Sequence, residues 1–479
     1  MADAIPTLAI MGHPNAGKSS VVATLTENDR IAIDKRAGTT TQADEFPVVI
    51  DGERIMAFID TPGFQNPSQI LEWFQTHRSE RDLARAYLAV HGDDPLYQHD
   101  CALLRPVAEG AGIILVVDGS KRIKEKDRIE MELLRLTGRP RMAILNNLSK
   151  ITKHMLAWQD ALNKSFNAVR EFNAHRATYA ERIALLSALK TIDQRWEPML
   201  DATIRAFERD WERRIDQSVT SILELLRRAL SYRVTKVVKV EDIDSEGERE
   251  RIRNLLTDAF QDGLRRLETE TQDQIRAHFR HHVWALASDS LLHKDLFSEE
   301  VGRALGLNRH QLVLASTAAG AATGGAIDIG VGGLSLGLAT LIGAAAGGVL
   351  GVISTAALAK IDIQRTLGVE RFSIGPVTNP RFPFVLLDRV ILYCARAMNW
   401  AHGRQAANEN DPNRVPDREI KTKRGFTEEL SPEDHKLLAK YFSAVRRGKG
   451  NGHEEAVRAI IKNILRGLSV DEIDSRAEL

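Results

Sequence analysis

This sequence predicts an α/β domain built on a parallel-rich sheet, followed by a mainly α-helical part that carries a glycine-rich apolar hairpin. Three observations lead there. Short apolar runs alternate with helical patterns through the first 195 residues. Long apolar stripes at steps of three and four then take over. Farther on, from Leu312 to Ala359, the only charged residue is Asp328, in a chain that is 27% charged. The expected divisions are 1–195 for the α/β domain and 196–300 for a helical region, then 301–405 for the hairpin with a following helical region, and 406–479 for a linker and charged helical tail.

At 479 residues the chain has room for about two to four domains, each with its own core. Lysine plus arginine equals aspartate plus glutamate at 65 each, so no global positive field argues for a nucleic-acid partner. Two cysteines far apart, Cys101 and Cys394, suit a reducing compartment and no disulfide framework. Met1-Ala2-Asp3-Ala4 runs straight into a strand pattern, so no secretory leader is expected.

Strands are expected at Thr7–Met11, Pro47–Asp51, Arg54–Asp60, Gly112–Asp118 and Arg141–Asn146, with helices between them. The first strand leads into Gly12-His13-Pro14-Asn15-Ala16-Gly17-Lys18-Ser19, followed by Ser20. That spacing is a phosphate-binding loop: glycines let backbone N–H groups curl around a polyphosphate, and the next helix points its positive end at the same charge. Lys18 would reach the β and γ phosphates, and the Ser19 hydroxyl would ligate Mg²⁺. Asp60-Thr61-Pro62-Gly63 closes a second apolar run, and Asp60 would hold the same ion through a water. Between them, the threonines of Gly38-Thr39-Thr40 are placed to close on the γ phosphate and metal. The expected ligand is a nucleoside triphosphate.

Phosphate loop, threonine segment and Asp-Thr-Pro-Gly, in that order, resemble the Era-like GTPases of the TrmE–Era–EngA–septin group, and the resemblance covers roughly the first 190 residues. It implies GTP and GDP as ligands, Mg²⁺ as cofactor and hydrolysis to GDP and phosphate. Where the family carries Asn-Lys-x-Asp to read guanine, this chain has Asn146-Asn147-Leu148-Ser149, which keeps the asparagine and replaces the carboxylate by Ser149. Leu186-Ser187-Ala188-Leu189 is similar to the family's last base-contacting motif, so Ser187 and Ala188 join the expected site. Phe64 follows Asp-Thr-Pro-Gly and cannot orient a water as glutamine does. In the Era-like relatives an asparagine at the Asn15 position helps to hold K⁺ beside the phosphates. For Asn15 two readings stay open: a K⁺ ligand with the backbone near Gly38, in a homodimer across the nucleotide face, or a cap of its own loop.

Between Phe64 and Gly112 an insert carries His77, His91, Asp93, Asp94, His99 and Asp100, whose spacing fits no metal motif and which are expected as polar residues at the surface. Beyond it, Leu200, Ile204, Phe207, Trp211, Ile215, Val219, Ile222, Leu226 and Leu230 form one apolar stripe. A second stripe is expected through Ile252, Leu255, Ala259, Leu264, Leu267, Ile275 and Phe279. Both read as bundle helices. Later, Phe384–Trp400 and Pro432–Leu468 read as helical, and the basic clusters at 446–449 and 458–462 as solvated faces.

Eleven glycines fall between Leu312 and Ala359, many four residues apart. Such spacing lets helices approach closely in lipid. Asp328 reads as the hairpin tip between arms Leu312–Ile327 and Ile329–Ala359, flanked by Arg303, Arg309, Lys360 and Arg365. The whole layout resembles bacterial predicted GTPases with an uncharacterised C-terminal domain. The leading expectation is a GTP-binding and GTP-hydrolysing switch that associates with membrane lipid, cytoplasmic or at the cytoplasmic face of the inner membrane. An Era-like RNA or ribosome assembly factor and a soluble nucleotide-dependent scaffold are the alternatives, although no clear nucleic-acid signal, such as a KH loop, is present.

Overall fold

The computed structural model describes residues 5–28, 31, 43–146, 153–243, 245–282, 292, 294–298, 301, 358–402 and 425–469. The chain gathers into two compact units. The first comprises Met1–Arg213, Arg280–Ala285 and Met398–Pro416; the second comprises Arg214–Phe279, Leu286–Ala397 and Asp417–Leu479.

The first unit is an α/β domain. Its strands are β1 (Thr7–Met11), β2 (Asp44–Ile50), β3 (Glu53–Asp60), β4 (Gly112–Asp118), β5 (Arg141–Asn146) and β6 (Ala168–Phe172). They pair in the order β2-β3-β1-β4-β5-β6, parallel throughout except for the β2–β3 hairpin. The near-continuous apolar runs of β1, β4 and β5 are those of strands covered on both faces. Helices α1 (Lys18–Thr26) and α7 (Tyr179–Lys190), with the opening turns of α8 (Glu197–Ser231), contribute to the core on one face. The other face is packed by α2 (Pro67–Thr76), α3 (Leu83–His91), α4 (Gln98–Glu109), α5 (Glu125–Leu136) and α6 (Met155–Asn163). Helix α7 starts at a reciprocal cap: the Thr178 N–H donates to Glu181 at 2.6 Å, and the Glu181 N–H donates to Thr178 Oγ1 at 3.3 Å.

Three of the five expected strands have the bounds read from the sequence. The second begins earlier and ends earlier, because Asp51 and Gly52 both take positive φ and form the hairpin turn. The insert is α2–α4, and Asp100 is buried there, not a surface group. Burial holds its carboxyl above the usual range, opposed by the backbone of Asn66 and Gln65 just after the Asp-Thr-Pro-Gly segment.

In the second unit every stripe position of α8 from Ile215 to Leu230 is buried as expected. In α9 (Glu246–His278) Ile252, Leu264, Leu267 and Ile275 are buried as expected, as is Phe279 just after it, whereas Leu256 and Phe260 take the places expected of Leu255 and Ala259. Leu255 is 50% exposed, and Ile252, Leu256, Phe260, Leu264 and Leu267 form the buried face. Ser245 caps this helix, accepting the Glu248 N–H at 3.2 Å. An unexpected antiparallel sheet joins them, β7 (Val234–Lys239), β8 (Ala359–Thr366) and β9 (Val369–Val377), in the order β7-β9-β8. Ala359, Lys360 and Arg365 therefore lie in a strand and do not end a helical arm. The rest of the hairpin but Leu358 falls outside the described residues. Among the described residues no helix is long and apolar enough to cross a membrane.

Helices α10 (Phe382–Met398), α11 (Pro432–Arg446) and α12 (Glu454–Ser469) complete this unit. The basic clusters are engaged in packing: Lys462 pairs with Asp216 at 2.6 Å, Arg458 donates to Thr220 at 3.0 Å, and Arg446 donates to the Asn379 carbonyl at 2.8 Å. Arg389 of α10 forms a buried ion pair with Glu268 of α9 and also donates to the Leu292 carbonyl at 3.0 Å. Burial pushes the Glu268 carboxyl up, and the Arg389 guanidinium opposes that shift. Removing one member of such a pair strands a buried charge. Arg389→Ala is expected to destabilise the protein by about 3–5 kcal/mol, read as a lower urea midpoint. Replacing both partners by leucine should cost much less.

Candidate functional site

Parallel strands deliver their carboxyl ends to one edge of the sheet. Ile10 pairs with Asp60, Ile10 also with Ile114, and Asp118 with Asn146, so the ends of β1, β3, β4 and β5 meet there. Strand order reverses at β1, and such a reversal opens a crevice where ligands bind. The phosphate loop occupies it.

Gly12 takes φ +134°, and a Cβ at that position would meet the Val116 carbonyl oxygen at 2.2 Å. Only glycine lets β1 turn so close to β4. Asn15 and Gly17 also have positive φ, at 65° and 91°, and Ala16 donates back to the His13 carbonyl at 3.2 Å. Lys18 opens α1 with its side chain folded under the loop. Its Nζ donates to the carbonyls of Gly12 at 3.0 Å and His13 at 3.2 Å, and the residue is only 8% exposed. Burial pulls its pKa down, opposed by the charges of Asp60 and Glu130. Thus an ammonium is held in a dry position by two neutral oxygens.

Ser19 Oγ donates to Asp60 Oδ2 at 2.6 Å, joining the loop to the end of β3. The other oxygen, Asp60 Oδ1, is buried without a hydrogen bond, and burial raises this carboxyl's pKa. A serine hydroxyl beside a carboxylate with an uncommitted oxygen is a hard-oxygen donor set that fits Mg²⁺. Thr61 donates through Oγ1 to the Ile10 carbonyl at 2.7 Å and locks the strand end. Phe64 is buried in the core, and its carbonyl accepts from Lys126 Nζ at 3.0 Å.

Asn146 is completely buried and acts as a brace. Its Nδ2 donates to the Ala16 carbonyl at 3.0 Å, and its Oδ1 accepts the Ala174 N–H at 3.4 Å. Ala174 lies in the loop after β6, where His175 Nε2 also meets Ser20 Oγ at 3.3 Å. This loop, Asn173–Ala177, stands at the edge where Ser187 and Ala188 were expected. Those two lie within α7, with Ala188 packed in the core beside Ala16 and Ala174 in the same cluster. Gly38, Thr39, Thr40, Asn147 and Ser149 lie outside the described residues.

A family model described as 50S ribosome-binding GTPase matches residues 7–147, and one described as a domain of unknown function, DUF3482, matches residues 159–466. GTPase Der of Rhodopirellula baltica is 42% identical over 82 residues, which is 16% of this chain and 18% of that protein. The tRNA modification GTPase MnmE of Lactobacillus delbrueckii is 32% identical over 139 residues, 29% of this chain and 24% of its own length. The chain thus spans less than a third of the length of these curated relatives. A crystal structure of Era with MgGDPNP and a 16S ribosomal RNA segment aligns over 40% of this chain and 57% of that one, at 20% identity and a TM-score of 0.30, a level that carries no weight here.

Gly12→Ala should cost about 3 kcal/mol or more, from backbone strain together with the clash at Val116. Gly110, with φ +113° and open space around its Cβ position, is the control. Gly110→Ala should cost about 1 kcal/mol from strain alone. Thermal unfolding of the two variants reads the difference.

Proposed function

The chain belongs to the DUF3482 family, its front part is a P-loop GTPase domain of the TrmE–Era–EngA group, and from that premise we propose a GTP-hydrolysing switch that associates with membrane. The observation that carries the nucleotide part is the buried Lys18 ammonium, whose hydrogen bonds among the described residues go to the carbonyls of Gly12 and His13. A polyphosphate supplies the countercharge those carbonyls lack. The backbone from Gly12 to Ser20 cradles it at the N-terminus of α1.

Ser19 and Asp60 would hold Mg²⁺, with Thr40 as a further ligand and Gly38, Thr39 and Gly63 as switch residues, and the ion would supply neutralisation of phosphate charge. Reading of the base is assigned to the Asn146-Asn147-Leu148-Ser149 segment, as the resemblance implies, with the buried Asn146 bracing it through Ala16 and Ala174. The loss of the family's carboxylate at Ser149 weakens discrimination of guanine from adenine. Because Phe64 is buried, the positive charge that hydrolysis needs comes from elsewhere. Asn15 holding K⁺ in a homodimer across the nucleotide face is our proposal for it.

Membrane association rests on the composition of 312–359, with eleven glycines and one charge. It places the protein at the cytoplasmic face of the inner membrane. One observation favours a second reading: the family model matching 7–147 is described as ribosome-binding, which fits an RNA or ribosome assembly factor. The balanced net charge weighs against it.

Turnover of GTP and ATP by the full chain tests these parts together, in KCl and in NaCl, with and without anionic liposomes. GTP should be preferred, K⁺ should stimulate, and liposomes should stimulate and pull the protein down unless 312–359 is deleted. Lys18→Ala should weaken GTP binding by about a hundredfold or more. Equal use of ATP would remove the guanine assignment, and equal rates in the two salts would remove K⁺. Indifference to lipid would favour the assembly reading.

A further inference from the structure

His13 is the second residue of the phosphate loop, yet its ring engages α5. Nε2 stands 2.7 Å from Asp127 Oδ1 and 3.5 Å from Glu130 Oε1. Asp127 and Glu130 are three residues apart, on one face of that helix. The other Asp127 oxygen, Oδ2, accepts the Lys124 N–H at 2.6 Å and so caps the helix, leaving Oδ1 turned to His13. Glu130 is 2% exposed, and its Oε1 has no hydrogen-bond donor. The three donor atoms lie within 4.8 Å of one another.

A His13–Asp127 ion pair accounts for two of these groups and leaves Glu130 unexplained. A buried carboxylate without a donor is costly unless it is neutralised or coordinates a metal. Burial pushes this carboxyl up to about 7, against the pull of His13, Lys126 and Lys18. One imidazole and two carboxylates suit Zn²⁺ and its first-row neighbours, whereas Mg²⁺ prefers an all-oxygen shell.

We propose that His13 Nε2, Asp127 Oδ1 and Glu130 Oε1 form a site for a divalent transition-metal ion, separate from the Mg²⁺ donors Ser19 and Asp60. Bonds of about 2.1 Å in a tetrahedral shell place neighbouring donors roughly 3.4 Å apart. The His13–Glu130 separation of 3.5 Å already matches that spacing. The His13–Asp127 contact opens by somewhat under 1 Å on binding, roughly the difference between a hydrogen bond and that edge. The His13 side chain, 31% exposed, provides the entry path and leaves the fourth position to water. Its effect would be to tie the phosphate loop to α5. In the same turn of α5, Lys126 holds the Phe64 carbonyl after the Asp-Thr-Pro-Gly segment. One ion would therefore stiffen the phosphate loop against the helix that also anchors that segment.

The test is a Zn²⁺ titration of the full chain under saturating Mg²⁺ and GDP, in competition with a chromophoric chelator. One equivalent should bind in wild type and in Asp60→Asn, and its affinity should fall by about tenfold or more in His13→Ala and in Glu130→Gln. Co²⁺ in place of Zn²⁺ should give visible d–d bands with no thiolate charge-transfer band, a readout on wild-type protein that needs no variant. The proposal is overturned if wild type takes up no Zn²⁺ beyond an Asp60-sensitive equivalent. It is equally overturned if folded His13→Ala and Glu130→Gln keep wild-type affinity, or if Co²⁺ shows thiolate bands. Fluorescent GDP binding on the same samples reads the nucleotide assignment separately, so failure of one is not failure of the other.

Discussion

A buried ammonium group organises the first unit. Lys18 sits under a loop whose nearest oxygens are uncharged, and the remaining features of the site follow from keeping it there. Gly12 must be glycine so that the loop can cross β4 closely enough to present its carbonyl. Asn146 ties the crown of the loop, at Ala16, to the segment after β6. Thr61 and Ser19 fasten the end of β3 to β1 and α1. The result is one positive charge held under the phosphate loop at the carboxyl edge of the sheet, and such preorganisation limits reordering on binding.

The parts of the first unit legible in the sequence are those where one local pattern decides the outcome. β1, β4 and β5 are unbroken apolar runs, because helices cover both their faces, and their bounds could be read directly. The phosphate loop announces itself by glycine spacing. β6 gives no such signal: Ala168–Phe172 is an edge strand, with Arg170 and Glu171 exposed and one buried residue. Without it the chain after Asn146 loses a strand, and the loop carrying Ala174 and His175 goes unrecognised. The cluster of His13 with Asp127 and Glu130 was illegible for a related reason, since β2, β3 and the α2–α4 insert separate its members along the chain.

In the second unit the long helices were visible because burial at steps of three and four repeats over many turns. The face of α9 differs from the expectation only at Leu255 and Ala259, since Leu255 and Leu256 are adjacent and both apolar, and tertiary packing alone chooses Leu256. The three-stranded sheet was missed outright. β7 and β8 are rich in charged residues and mostly exposed, and their partner β9 lies more than a hundred residues beyond β7. Lys360 and Arg365 read as flanks of an apolar hairpin because pairing at that distance leaves no local trace.

Lys18, Ser19 and Asp60 are our proposed site for a nucleotide phosphate and its Mg²⁺. The most direct measurement is the affinity of fluorescent GDP in Mg²⁺ and in EDTA, for wild type and for Asp60→Asn. The account predicts that wild type binds and loses about tenfold or more in affinity when Mg²⁺ is removed, whereas Asp60→Asn responds little. A wild-type protein that binds no GDP, or binds it equally without Mg²⁺, would contradict it.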